Sequence, residues 1–205
     1  MPSNPERRNR ILDAAIDILC DDGVGGLTHR QVDTRAGVPA GTTSNYFRTR
    51  QALIEATAGR VADLQWQYVG RLQEGLGSMT RETLAAMMTR MVTDLGGENG
   101  RRQLARFELF NEGVRRPELR PILCEIQSAA IKSAALILES AGLAPTEEQV
   151  GELARLLNGL AYSNLTFVEG RPGAQDPAGL IDRMLSTVLG SDACAAVAGK
   201  DDKTD

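Results

Sequence analysis

The chain has a single histidine, His29, and three widely separated cysteines, Cys20, Cys124 and Cys194. One histidine leaves nothing for a histidine-rich metal site and almost nothing for a histidine-based triad. With no Cys-x-x-Cys pair, the cysteines argue against a zinc site and against a disulfide scaffold, and they fit a reducing cytoplasm. No metal and no cofactor is expected. Aromatic residues make up only 4% of the chain, so Leu, Ile, Val, Ala and Met must build the core. Lysine is rare, and nearly every cation is an arginine. No apolar run approaches the length that spans a bilayer. The charged first eight residues have no apolar stretch behind them, so a signal peptide is not expected either.

What is present is ordinary for a soluble domain. The 205 residues are 42% apolar and 24% charged, enough for one domain or two small ones with a sizeable core. The net charge of −4 has the wrong sign for a nucleic-acid binder, but distribution matters more than the sum. Residues 1–50 carry seven arginines against six acids, leaving the rest of the chain at −5.

The hydrophobic period is helical throughout, without an alternating strand. Residues 7–21 place Ile11, Ala15, Ile18 and Leu19 on one face. Asp13, Asp17 and Asp21 recur at i, i+4 and i+8 on another, which reads as a solvated acidic stripe. Gly23, Gly25 and Gly26 end this helix. Thr28-x-x-Gln31 is a capping box that opens a short second helix, and Gly37 suits its left-handed terminus. Pro39 fits the first turn of a third helix. Two short helices about a glycine-containing turn make a helix-turn-helix signature. Longer helices are expected over about 50–75, 80–95, 101–115 and 117–141. Two more open at Thr146-x-x-Gln149 and at Asp176-Pro177, the second ending at Gly190. Residues 96–100 read as a loop, and the end of the chain as a disordered tail.

The third segment, Gly41-Thr42-Thr43-Ser44-Asn45-Tyr46-Phe47, has four consecutive short polar residues that cannot form a core. They suit a helix that enters a DNA major groove, where small donors and acceptors reach bases and phosphates. Gly41 lets the backbone come close. Thr42, Ser44 and Asn45 can reach phosphates or bases. Asn45 suits a bidentate contact to adenine, and Thr43 offers a methyl to thymine. Thr28 and Arg30 before the segment, and Arg48 and Arg50 after it, read as phosphate clamps. Tyr46 is a further candidate contact, although Tyr46 and Phe47 also read as packing anchors. His29 reads as a solvated first-turn residue and Cys20 as a small apolar one. Arg7 and Arg8 fit a frayed end and a phosphate contact equally.

The run Ala36-Gly37-Val38-Pro39-Ala40-Gly41-Thr42-Thr43-Ser44-Asn45-Tyr46-Phe47-Arg48-Thr49-Arg50-Gln51-Ala52-Leu53 closely resembles the DNA-binding signature of TetR-family repressors. Arg10-Ile11-Leu12-Asp13-Ala14-Ala15 and Gly26-Leu27-Thr28 fit that family's first helix and the start of its second. The resemblance covers residues 7–57. It implies that Thr42 is a DNA contact and that Arg50, at a position usually Lys, contacts phosphate. It also implies that Thr28 and Arg30 lie where the second helix touches DNA. The sequence departs from the family at Pro39, where a Ser or Thr cap is usual. It departs again at Ser44 and Asn45, where an aromatic phosphate contact is common.

Further along, Val150, Leu153, Leu157, Leu160, Asn164 and Phe167 alternate at spacings of 3 and 4, a coiled-coil-like seam with Asn164 as its register-setting polar residue. Gly159, Ser163 and Thr166 form a second, small-residue face. Ile181, Met184, Leu185 and Val188 belong to a broad apolar stripe on the last helix. These stripes read as a dimer interface, because one recognition helix makes too few contacts for tight binding; the rival reading is one protomer's core. Met88, Met91, Phe107 and Phe110, with Trp66 as a wall and Gln127 as a polar handle, are the candidate effector pocket. Ordinary core is the rival reading there too.

The expected architecture is therefore all-α. An N-terminal three-helix helix-turn-helix domain (1–49) precedes a C-terminal helical ligand-binding and dimerisation domain (50–190) and a tail (191–205). The expected function is non-enzymatic and cytoplasmic: a repressor released from a palindromic operator by a small hydrophobic effector. Its expected partners are double-stranded operator DNA, a second copy of the chain and an effector of unspecified identity, with no membrane. The fourth helix is the expected lever. The alternative is an architectural or constitutive helix-turn-helix binder without an effector. A helical enzyme is disfavoured by the lone histidine and by the lack of acids at metal spacing.

Overall fold

The computed structural model describes residues 4–94, 97–166 and 176–190, and among these there is no strand. In chain order the elements are α1 (Pro5–Gly26), α2 (His29–Ala36), α3 (Thr42–Tyr46), α4 (Arg50–Gly75), α5 (Arg81–Thr93) and α6 (Glu98–Arg115). A 3-10 turn (Pro117–Leu119) then leads into α7 (Arg120–Ser140), α8 (Glu147–Thr166) and α9 (Pro177–Leu189). Phe167, Cys194 and the expected tail lie outside the described residues. The chain divides into two compact units, Met1–Gln67 with Gly96–Ala129, and Tyr68–Leu95 with Ala130–Asp205.

The helix boundaries follow local chemistry. Thr28 accepts from the Gln31 N–H, and Thr146 and Gln149 cap each other reciprocally. Asp176 accepts from the Ala178 and Gly179 N–H groups. Gly37 ends α2 in the left-handed region at φ 61°, where a side chain would be strained. Three boundaries differ from expectation. Helix α3 starts at Thr42 with Gly41 as its cap, and Pro39 stands in the turn before it, its carbonyl accepting from the Thr42 N–H at 3.1 Å. Helix α6 starts at Glu98, inside the stretch expected as a loop; Gly100 is buried there, so packing overrides its low propensity. Helix α1 continues to Gly26 through a kink at Gly23, whose φ of 65° interrupts the ladder.

In the first unit, α1 packs against α2 and α6. Ile11, Leu12, Ile18 and Leu19 of α1, Leu53 and Ile54 of α4, and Leu109 of α6 are all fully buried in one core. The acidic stripe of α1 is a docking seam rather than a solvated face. Asp13 takes both nitrogens of an Arg60 fork from α4, at 2.8 and 3.2 Å. Asp17 and Asp21 take Arg101 of α6 at 3.0 and 2.9 Å, and Asp21 also takes Arg35 of α2 at 2.7 Å.

In the second unit, α5, α8 and α9 pack on one another. Leu84, Met88 and Val92 of α5 meet this interior with Val150 and Leu153 of α8 and Ile181, Leu185 and Val188 of α9, all buried. Asn164 donates to the Val92 carbonyl at 2.9 Å, and Arg81 pairs with Asp182 at 2.5 Å. Leu153, Ile181, Leu185 and Val188 are thus spent inside the protomer and correct the expectation of an interface there. Asn164 likewise bonds within its own chain. From sequence the 3,4 seam fits an intermolecular partner equally well, because spacing alone cannot say which helix fills it.

The stretch Pro117–Ser140 corrects a second expectation. Its 24 residues contain a window of mean hydropathy 1.4, which by length and composition is long and apolar enough to cross a membrane. Arg120, Glu125 and Lys132 interrupt the run, so a search for unbroken apolar sequence passes over it. Ile126, Ala129, Ser133 and Ile137 are buried on one face at spacings of 3 and 4, as in a one-sided core helix.

Candidate nucleic-acid interface

Helix α2 carries the short helix α3 on its side. Val32 and Asp33 are the buried residues of α2, and Thr43 is the buried residue of α3. The Asp33 carboxylate accepts from the Gly41 N–H and the Thr43 N–H at 2.7 Å, and from the Thr43 hydroxyl at 2.6 Å. Burial pushes the Asp33 pKa up, but the bonds from Thr43 and Gly41, helped by the charge of His29, outweigh it. The net result is a carboxyl held below its ordinary value. At the far end of α3, His29 Nε2 lies 2.7 Å from the Phe47 carbonyl.

This arrangement sorts the expected DNA contacts. Asn45 and Arg48 are exposed, as are Thr28, Arg30 and Gly41. Thr42 and Ser44 are half-buried, and each donates its hydroxyl hydrogen to backbone, Thr42 to the Pro39 carbonyl at 2.5 Å and Ser44 to the Gly41 carbonyl at 2.8 Å. Their oxygens can therefore only accept from an incoming group. Thr43 is fully buried and bonded to Asp33, so its methyl is not presented to thymine. Tyr46 is half-buried, its ring 6.3 Å from that of Phe47, and Arg8 lies over the Phe47 ring at 5.6 Å.

Arg50 also departs from expectation. Its Nε donates to the Leu27 carbonyl at 3.1 Å, and its Nη2 donates to the Val24 carbonyl. The guanidinium thus fastens the start of α4 to the turn that leaves α1. The same turn is held from α6: Glu108 Oε2 accepts the Val24 N–H at 3.3 Å. A Cβ at Gly23 would stand 3.0 Å from that oxygen. Sequence reasoning missed Asp33, Glu108 and the role of Arg50. An acid beside Val32 on the inward side of a short helix was the only available signal for Asp33.

The expected effector residues divide between the units. Trp66, Phe107, Phe110 and Gln127 belong to the first, Met88 and Met91 to the second. Phe107 and Met88 are buried, Phe110, Gln127 and Met91 half-buried, and Trp66 is 44% exposed. The Phe107 and Phe110 rings meet edge to face at 6.5 Å. None of these six lines the crevice of about 20 Å³ enclosed by Ile16, Val61, Leu64, Gln65, Arg102, Ala105 and Arg106, which is room for roughly one water. Burial pulls the Arg106 pKa down to about 10, and its guanidinium lies 5.8 Å from the Phe110 ring.

Residues 79–191 match a family model described as tetracyclin repressor-like, C-terminal domain. The HTH-type transcriptional regulator BetI of Cronobacter sakazakii is 42% identical over 53 residues, 26% of this chain and 26% of that protein. BetI of Paraburkholderia xenovorans is 27% identical over 149 residues, 67% of this chain and 76% of that protein. Among solved structures, the multidrug binding protein EbrR complexed with ethidium is similar at a TM-score of 0.65 and 24% identity, over 89% of this chain and 98% of that one.

Proposed function

The chain belongs to the TetR family of transcriptional regulators, and from that premise we propose that it is a repressor that binds a palindromic operator as a homodimer and leaves it when a small effector binds. The observation that carries the DNA half is α3. It is a five-residue helix, pinned on its inner side by Asp33, with Gly41 and Asn45 exposed and Arg48 directly after it. Small polar groups on a rigid outer face are what close approach to base edges requires. Thr42 and Ser44 act as acceptors, Asn45 as the base reader, and Arg30, Arg48 and Thr28 as backbone contacts that fix register. Residues 1–49 form the DNA-binding head and residues 50–190 the effector-binding and dimerisation region, acting on DNA in the cytoplasm.

A two-fold dimer matches two half-sites. With Val150 and Leu153 of the 3,4 seam buried inside the protomer and Asn164 bonded to Val92, the partner face is assigned to the outer side of α8. Leu156 is exposed there, beside Gly159 and the half-buried Leu160 and Ser163. Small residues at 159 and 163 let a second helix come close. Half-buried Met184 of α9 and Leu157 of α8 remain candidates.

For the effector, EbrR supplies an analogy, a neighbour whose structure holds ethidium. We assign this chain a hydrophobic small molecule that touches some of Trp66, Phe110 and Gln127 of the first unit. It must bind the DNA-incompetent state better than the competent one, or it shifts nothing.

Selection of bound DNA from random sequence by the full-length protein tests the reading. A palindrome is expected, and Asn45→Ala should cost about 1–3 kcal/mol and relax one position in each half-site. Binding without sequence preference would favour an architectural role instead.

A further inference from the structure

We propose that His29 and Asp33, one turn apart on α2, are positioning residues that hold the two ends of α3 and so set the pose in which the protein meets DNA. This rests on the regulator reading above. Helix α3 is too short to persist by itself. Its cap residue, Gly41, has no side chain to satisfy the first N–H groups. Asp33 does so from the neighbouring helix, taking the Gly41 and Thr43 N–H groups at 2.7 Å. At the other end Phe47 caps α3, its N–H donating to the Thr43 carbonyl at 2.9 Å, and His29 Nε2 lies 2.7 Å from the carbonyl of that cap residue. A carbonyl only accepts, so Nε2 carries the hydrogen in this contact.

The two anchors have the signs that α3 asks for. A carboxylate stands at its N-terminus and a donor at its C-terminus, which complements the helix dipole at both ends. Residues i and i+4 of one helix are neighbours on one face. The bracket is therefore as rigid as α2 itself, and α3 cannot tilt without breaking one end. The Thr43 hydroxyl, 2.6 Å from Asp33, sets rotation about the helix axis as well. Asn45 and the Thr42 oxygen are thereby aimed together. Neither His29 nor Asp33 reads a base in this scheme; each acts through α3.

The test uses the full chain and the operator that wild type selects. His29→Gln places an amide N–H close to the lost Nε2–H and should bind within about threefold of wild type, whereas His29→Ala should lose about tenfold. Asp33→Asn keeps one oxygen for Thr43 but turns its NH2 toward the Gly41 N–H, donor against donor, and should lose about tenfold or more. Binding is read well below each variant's melting temperature, so that loss through unfolding is separated from loss of pose. Amide exchange in the DNA-free protein gives an independent reading. Residues 42–47 should exchange faster in His29→Ala and Asp33→Asn, but not in His29→Gln, while the amides of α4 and α6 stay protected.

Wild-type affinity and unchanged α3 exchange in His29→Ala and Asp33→Asn would overturn the bracket. A His29→Gln variant as weak as His29→Ala, with α3 still protected, would show that the imidazole itself touches the nucleic acid and would overturn it for His29. If wild type selects no DNA, the regulator reading falls, and amide exchange alone still decides whether α2 holds α3.

Discussion

Arg50 is where two readings of one residue part most sharply. Family resemblance makes it a phosphate contact, but the structure sends its Nε and Nη2 to the Leu27 and Val24 carbonyls of its own head. Both residues are buried, so their carbonyls depend on this donor. A hydrogen bond from a charged group is worth about 1.5–3 kcal/mol when fully desolvated. Arg50 is half-exposed, and water can replace part of what is lost. The two bonds together should then contribute about 2–3 kcal/mol. For a chain of this size each kcal/mol moves the melting temperature by about 2–4 °C, so Arg50→Ala should melt roughly 5–10 °C lower. Arg50→Lys keeps the charge but not the fork, and should recover about half of the loss. Thermal unfolding and DNA titrations at several salt concentrations decide the matter. A lost phosphate contact flattens the salt slope by about 0.9, whereas a lost internal clamp leaves it unchanged. An Arg50→Ala protein with wild-type melting and a slope reduced by about one would refute the clamp and restore the phosphate contact.

Two further predictions follow from buried and exposed neighbours. The folded-state pKa of Asp33 lies below its unfolded value, so its contribution is fully present above the ordinary carboxylate pKa of about 3.9 and is lost as pH falls through the lower folded value. In denaturant titrations, wild type should exceed Asp33→Asn at pH 6, and the gap should close below about pH 4; a gap that widens on acidification would contradict the assignment. On α8, Leu156→Glu should yield folded monomers by sedimentation, while Leu185→Glu, a charge in the α5–α8–α9 interior, should unfold the second unit; a dimeric Leu156→Glu protein would remove that face as the interface.

Much of the fold is written in short-range signals. Thr28, Gly37, Thr146 and Asp176 each mark a helix end by what their own side chain or backbone can do within three or four residues. Such marks survive whatever the rest of the chain does. The start of α6 is not of this kind. Glycines at 97 and 100 argue for a loop on propensity, and the burial of Gly100 becomes visible only once α6 is packed. The partner of a helical face is equally non-local. The seam through Val150, Leu153 and Asn164 is real, but α5 and α9 pack on it, and no spacing rule distinguishes a neighbour in the same chain from one in a second copy.

The site was legible in its residue types and obscure in its pairings. Small polar residues at 42–45 are enough to infer close approach to a groove, because no core can be made from them. Which of them face outward is set by Asp33, ten residues before Thr43, and a carboxylate's hydrogen-bond partners cannot be read from its own position in sequence. The acidic stripe of α1 shows the same limit from the other side. Asp13, Asp17 and Asp21 at i, i+4 and i+8 look solvated because nothing local answers them. The arginines that do answer come from residues 35, 60 and 101, on three different helices. Each pair is exposed at one partner or both, and salt would screen it, so the seam specifies more than it stabilises. Three acids at helical spacing, each bonded to an arginine from a different direction, leave α1 one register against α4 and α6. The α1 register in turn places the Val24–Leu27 turn where Glu108 and Arg50 can hold it, immediately before the cap of α2. The order runs from a charge pattern on the first helix, through two backbone clamps, to the helix that carries the recognition segment. Every step after the first depends on residues that are distant in sequence.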